Sequence, residues 1–132
     1  MIKFSELKPG DIVMTDFEGQ QREGIVTDLN REDKEVCVET EVQEFWFTPE
    51  HLYPILVNED ELFKLGFTRQ DNPDGTVKYM KGSFRILLPR AGQFADMGIW
   101  WREDHRQLHQ RLHVHVLQNH YLQMTKVELW PA

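Results

Sequence analysis

Apolar residues in this chain come only in short runs, which restricts it to small packed elements. The longest runs are Tyr53-Pro54-Ile55-Leu56-Val57 and Ile86-Leu87-Leu88-Pro89. Neither approaches the roughly 18 residues needed to cross a bilayer as a helix. Turn-forming clusters punctuate the chain at Pro9-Gly10-Asp11, Asn30-Arg31-Glu32-Asp33-Lys34, Asp71-Asn72-Pro73-Asp74-Gly75 and Lys81-Gly82. Short runs bounded by such clusters read as antiparallel strands. A length of 132 residues fits one domain, or two small halves sharing a core.

The first half reads as β. Strands are expected at 12–14, 24–29, 35–40, 42–47 and 53–57. Side chains on a strand alternate between faces, so Gln43, Phe45 and Phe47 share one face and Val42, Glu44 and Trp46 the other. Thr48 and Pro49 suit the start of one helical turn before the last strand. This pattern predicts a small SH3-like barrel or a curled sheet.

At Asn58 the pattern changes. Asn58-Glu59-Asp60-Glu61 has the form of a capping box, an Asx cap with Glu three residues on. The helix it opens is expected to run to Leu65 and stop at Gly66. Strands follow at 76–80, 83–88, 98–103 and 107–111, and a helix at about 112–125. Val114, Leu117, Tyr121 and Met124 form that helix's apolar stripe. The expected fold class is therefore α+β, mainly β. A β module over 1–57 is followed by an α+β half over 58–132, comprising a helix, an antiparallel meander and a C-terminal helix. Val57 and Asn58 meet without a spacer, so the halves are expected to pack as one compact unit.

Charge divides unevenly. Residues 1–57 carry 5 basic and 13 acidic side chains, a net of −8, while 58–132 carry 10 and 9, a net of +1. Phosphate binding depends on concentrated Lys and Arg. The first half repels a polyanion, and the second offers only scattered cations: Lys78, Lys81, Arg85, Arg90, Arg102, Arg106 and Arg111. Cys37 is the one cysteine, which excludes an internal disulfide. Met1-Ile2-Lys3-Phe4-Ser5-Glu6 lacks the basic flank and apolar stretch of a secretory signal. A cytoplasmic protein is expected.

A set of segments in fixed order carries a resemblance. They are Leu7-Lys8-Pro9-Gly10-Asp11, Leu52-Tyr53-Pro54-Ile55, Glu61-Leu62-Phe63-Lys64-Leu65-Gly66-Phe67, Phe84-Arg85-Ile86, and Val114-His115-Val116-Leu117-Gln118-Asn119-His120-Tyr121 with Thr125 and Glu128-Leu129. In outline, over most of the chain, this resembles a loose group of short uncharacterised proteins from Bacteroidetes and their phages or mobile elements. The likeness is specific at the helix starts and in the last helix. The chain departs from that group at Val57-Asn58, where Leu-Thr is usual, at His120, where the group has leucine, and at Lys126, where it has glycine. The loop over 89–97 is also its own. The resemblance implies an architecture and an accessory role in a mobile element, and brings no activity with it.

Residue chemistry narrows the function. His105, His109, His113, His115 and His120 form the densest cluster. A helix over 105–113 would place His105, His109 and His113 on one face, where three imidazoles can hold zinc with a position left for water. The strand expected at 107–111 instead scatters them, and no Asp or Glu completes a metal signature. Phe45-Trp46-Phe47 and Trp100-Trp101 put neighbouring rings on opposite faces. Those outside the core would form a partner site. Gly-x-Ser-x-Gly, phosphate-loop and dinucleotide patterns are all missing. Cys37 lies mid-strand in the acidic half, where a thiolate is disfavoured. The leading expectation is a non-enzymatic module that meets a protein partner through Trp100, Arg102, His109, Arg111, His113 and His120, with no cofactor, metal or membrane. Nucleic-acid binding by 58–132 is the alternative, and a metal-dependent hydrolase the second alternative.

Overall fold

The computed structural model describes residues 2–131. Its strands form two antiparallel sheets of five, one in each of two units. The first unit runs to Ile55 and takes in His113–Val116; the second holds Leu56–Leu112 and the chain from Leu117 on. The α+β, mainly β class expected from the sequence is observed.

The first sheet starts at the Lys8–Asp11 turn. Asp11 is fully buried, and its carboxylate accepts Lys8 N–H at 3.1 Å and Lys8 Nζ at 2.7 Å. Burial pushes this carboxyl above the usual range, while Lys8 pulls it back. Gly10, at φ 96°, donates to Val26 O, and Asp11 O accepts from Val26 N–H, so the turn is stitched to the sheet. The strands are β1 (Ile12–Phe17), β2 (Gln20–Asn30), β3 (Glu35–Thr40), β4 (Glu44–Phe47) and, after a 3-10 turn at Pro49–His51, β5 (Leu52–Tyr53). Their order is β4-β3-β2-β1-β5. The edges β4 and β5 do not pair, so the sheet is open rather than closed into a barrel. Val13, Val26, Val36, Val38, Phe47 and Leu52 form its buried face.

Two boundaries differ from expectation for clear reasons. β1 continues three residues past Met14 because Glu18 and Gly19, at φ 51° and 80°, close a two-residue hairpin. Positive φ at both central positions is the turn geometry that matches strand twist, but Glu is not the residue that advertises it. β5 stops at Tyr53 because Pro54 has no N–H to extend the ladder.

In the second unit α1 (Glu59–Lys64) is capped as expected: Asn58 Oδ1 accepts from Glu61 N–H at 2.9 Å. Its end is a Schellman motif. Gly66, at φ 90°, donates to Phe63 O, and Phe67 donates to Leu62 O. The strands are β6 (Thr68–Asp71), β7 (Val77–Lys81), β8 (Phe84–Leu88), β9 (Met97–Trp101) and β10 (Asp104–Leu108), in the order β10-β9-β8-β7-β6. β6 is a strand the sequence pattern does not announce, since Thr68-Arg69-Gln70-Asp71 is exposed and polar throughout. The strand expected at 107–111 lies three residues earlier, because Arg102-Glu103 turn the chain tightly with Arg102 at φ 56°. Val77, Tyr79, Phe84, Ile86, Leu88 and Ile99 are buried on one face.

α2 (Val114–Thr125) closes the regular structure. Tyr121 meets Phe84 with ring centroids 4.7 Å apart, and buried Gln118 donates to Leu129 O at 2.9 Å. The helix ends where Lys126, at φ 64°, donates to Leu122 O. Lys126 thus takes the left-handed position that glycine commonly fills at helix ends.

Lys126→Gly is expected to stabilise the chain by about 1 kcal/mol in urea unfolding, by relieving the left-handed strain. Gly24→Ala is expected to cost about 1–3 kcal/mol. A Cβ there would lie 2.5 Å from Val38 Cγ1 and 2.9 Å from Glu39 O.

Candidate functional site

Three phenylalanines meet at one end of the first sheet. Val13, Thr15 and Phe17 alternate onto the buried face of β1, but Phe17 lies at the strand's end and is 40% exposed. Phe45 and Phe47, two apart on β4, share that face opposite Val38 and Val36. Ring centroids are 5.3 Å apart for Phe17–Phe45, 5.4 Å for Phe45–Phe47 and 6.5 Å for Phe17–Phe47, all tilted or edge-on. This is the favoured geometry for aromatic pairs. Phe47 is buried and anchors the group, while Phe45 remains 42% exposed. Trp46, on the opposite face of β4 from these rings, is 40% exposed.

Two open clefts flank the cluster, and both touch Phe17, Glu18 and Phe47. The larger, about 560 Å³, runs between the β1–β2 hairpin tip and β4 with its following 3-10 turn. Asp16, Glu18 and Glu35 line it together with Phe45, Trp46 and His51, and no Lys or Arg does. The smaller, about 450 Å³, includes Arg22, whose guanidinium is engaged by Glu41 at 3.1 Å. The site thus offers exposed aromatic surface beside unneutralised carboxylates. Such a surface is chemically complementary to an apolar group flanked by positive charge.

The six residues expected to form a partner surface are not brought together. Trp100 lies on the face of the second sheet away from its buried residues, stacked on His105 at 4.1 Å. Arg102 sits in the β9–β10 turn with its guanidinium 5.2 Å from the Trp101 ring. His109 is exposed, 3.7 Å from Asp96. Arg111 donates Nε to Val57 O at 3.1 Å and lies over the Phe94 ring. His113 belongs to the first unit, its ring 6.0 Å from that of His115. His120 Nδ1 accepts from Arg106 Nη1 at 2.8 Å. Arg106 pairs with Ile99 and shares its face, so the second sheet stands between His120 and Trp100.

The histidines do not converge either. His105 is on β10, His109 and His113 follow it outside any helix, and His115 is buried with Nε2 donating to Glu6 at 3.1 Å. Among the described residues, no three His, Cys, Asp or Glu side chains gather as metal ligands. The Phe17–Phe45 contact escaped the sequence reading because β1 and β4 are separated by two strands. The detectable part of its signal is the Phe45-Trp46-Phe47 triplet. Comparison with protein-family models, curated proteins and solved structures gives no match for the chain.

Burial pushes the His120 imidazole below the usual histidine range, and the Arg106 charge beside it adds to the shift. Burial lowers His113 in the same direction. The unfolded chain therefore takes up these protons first as pH falls. Stability that is complete above about pH 7 is lost on descending through the ordinary histidine range near 6.5 toward the depressed values. The melting temperature is expected to fall between about pH 7.5 and 5.5. In His120→Gln, which keeps an acceptor for Arg106 but does not titrate, that fall should be smaller by a few degrees. An unchanged pH profile would show that His120 carries none of the effect.

Proposed function

We propose that the protein is a non-enzymatic interaction module whose first unit docks an extended, positively charged segment of a partner protein. One observation carries this reading. The Phe17–Phe45–Phe47 cluster keeps two rings some 40% exposed beside a cleft whose charged lining, His51 apart, is wholly carboxylate. β4 adds to it as an edge strand, so among the described residues its outer backbone groups have no strand neighbour and can accept an added strand. An apolar side chain of the partner fits against Phe45 and Phe17, with flanking Lys or Arg directed to Asp16, Glu18 and Glu35.

The strand order β4-β3-β2-β1-β5, with a helical turn before β5, supports treating this unit as a small SH3-like module. A lone buried Cys37 suits a reducing, cytoplasmic setting. An accessory role in a phage or mobile element rests on the resemblance alone.

Panning a random nonapeptide display library against the intact chain tests the proposal. Recovered peptides should combine Lys or Arg with an aromatic, aliphatic or proline residue. Phe45→Ala should reduce their binding by roughly tenfold or more, the loss expected of an anchoring side chain, and should move the melting temperature little because that ring is already half in solvent. Glu18→Lys should discriminate against the basic peptides in particular. Enrichment of acidic sequences, or full binding by both variants, would refute the cleft as the docking site.

A further inference from the structure

The second sheet buries one face and leaves the other without a single buried side chain. Register fixes what that second face displays. Met80, Arg85, Trp100 and His105 lie side by side across β7, β8, β9 and β10, and Lys78, Leu87, Gly98 and Gln107 form the next row. No Asp or Glu lies on this face within the strands. One carboxylate at its margin, Asp96, accepts from Gln107 Nε2 at 2.9 Å.

Four Lys or Arg residues of the second unit are half-buried: Lys78, Lys81, Arg85 and Arg106. Two are satisfied internally, since Lys81 Nζ donates to Leu65 O at 2.7 Å and Arg106 donates to His120. Lys78 and Arg85 have neither an ion pair nor a side-chain hydrogen bond among the described residues. Their charged ends are thus left without a partner within the described residues. Beside these cations, Trp100 and His105 form a parallel stack, centroids 4.1 Å apart and planes 13° from parallel. Gly98 makes room for it: the indole edge comes within 2.6 Å of where a Gly98 Cβ would be.

We infer that this face binds single-stranded nucleic acid, with phosphates on Lys78 and Arg85 and a base stacked against the Trp100–His105 pair. A strand of nucleic acid supplies repeated anions and flat rings together, and recognition through stacking tolerates sequence because every base has a π face. An acidic peptide would answer the cations and leave the rings unused. A duplex keeps its bases stacked on one another and would leave them unused too. The site uses no residue of the first unit's cleft.

Fluorescence anisotropy of the intact chain with a short labelled oligouridine tests this at about 20 mM salt, where phosphate contacts are strongest. Saturable binding is expected, with log K falling against log salt at a slope of about −1.4, the value for two single-strand phosphate contacts. Lys78→Gln with Arg85→Gln should weaken binding by about tenfold or more and flatten that slope. Trp100→Leu should weaken it by roughly fivefold or more. The charge variants remove no ion pair or side-chain hydrogen bond among the described residues, so they report even if Trp100→Leu proves unstable by circular dichroism. Absence of binding at low salt, binding unchanged in the charge variants, or equal affinity for oligoglutamate or a duplex of the same length would each overturn the assignment.

Discussion

In both sheets, alternation along the strand decides which residues stay available for contact. Tyr79, Ile86 and Ile99 face the second unit's core, so their neighbours Lys78, Arg85 and Trp100 must face away. On β4, the register that sets Phe47 against Val36 also sets Phe45 against Val38 on the same side. Trp46 is forced to the opposite side. A slip of one residue would exchange these sets entirely, so the stability of each core fixes the identity of each outer surface. The buried residues do not touch a ligand, yet they select the residues that can.

Electrostatics then separates the two surfaces. The β1–β2 hairpin tip and the start of β3 contribute Asp16, Glu18 and Glu35 to one cleft with no Lys or Arg among its lining residues. On β7 and β8 the outward positions fall to Lys78 and Arg85, with no acid between them. Elsewhere in the second unit, one charge network is built into the structure. Arg69 bridges Glu59 at 2.6 Å and Asp71 at 2.9 Å, and Glu59 also accepts from buried Tyr79. That network holds the Glu59 carboxyl below its usual range, with the Arg69 hydrogen bond the larger cause and Tyr79 the next. Satisfied charges of this kind tie α1 to β6 and β7.

Much of the architecture was legible because it is written in local signals. The Asn58 cap, the Gly66 stop, the Lys81-Gly82 turn and the apolar stripe of α2 each need only a few neighbouring residues to be recognised. What was missed depends on partners distant in sequence. β6 has no apolar alternation and becomes a strand only because β7 offers it a ladder, from Thr68 against Met80 to Asp71 against Val77. Glu18 adopts a conformation its side chain disfavours because the pairing of β1 with β2 outweighs it. The candidate site was half legible for the same reason. The triplet of rings on β4 is local, but Phe17 and the acidic lining reach it only through the order of four strands.

Magnitudes set the kind of binding the aromatic cleft can support. A phenylalanine buries about 200 Å² when fully covered, so covering the exposed 40% and 42% of Phe17 and Phe45 removes about 80 Å² each. At about 25 cal/mol per Å², the two rings contribute about 4 kcal/mol, comparable to a millimolar dissociation constant before any cost of association. Ring coverage alone therefore cannot hold a partner firmly. Tighter binding requires the carboxylates of Asp16, Glu18 and Glu35 to meet cations and the free edge of β4 to meet backbone donors and acceptors. Exposed charge pairs weaken as salt rises, whereas strand addition does not depend on charge. Affinity that collapses with salt would assign the holding force to the acidic rim, and affinity that survives it would assign the force to the β4 edge.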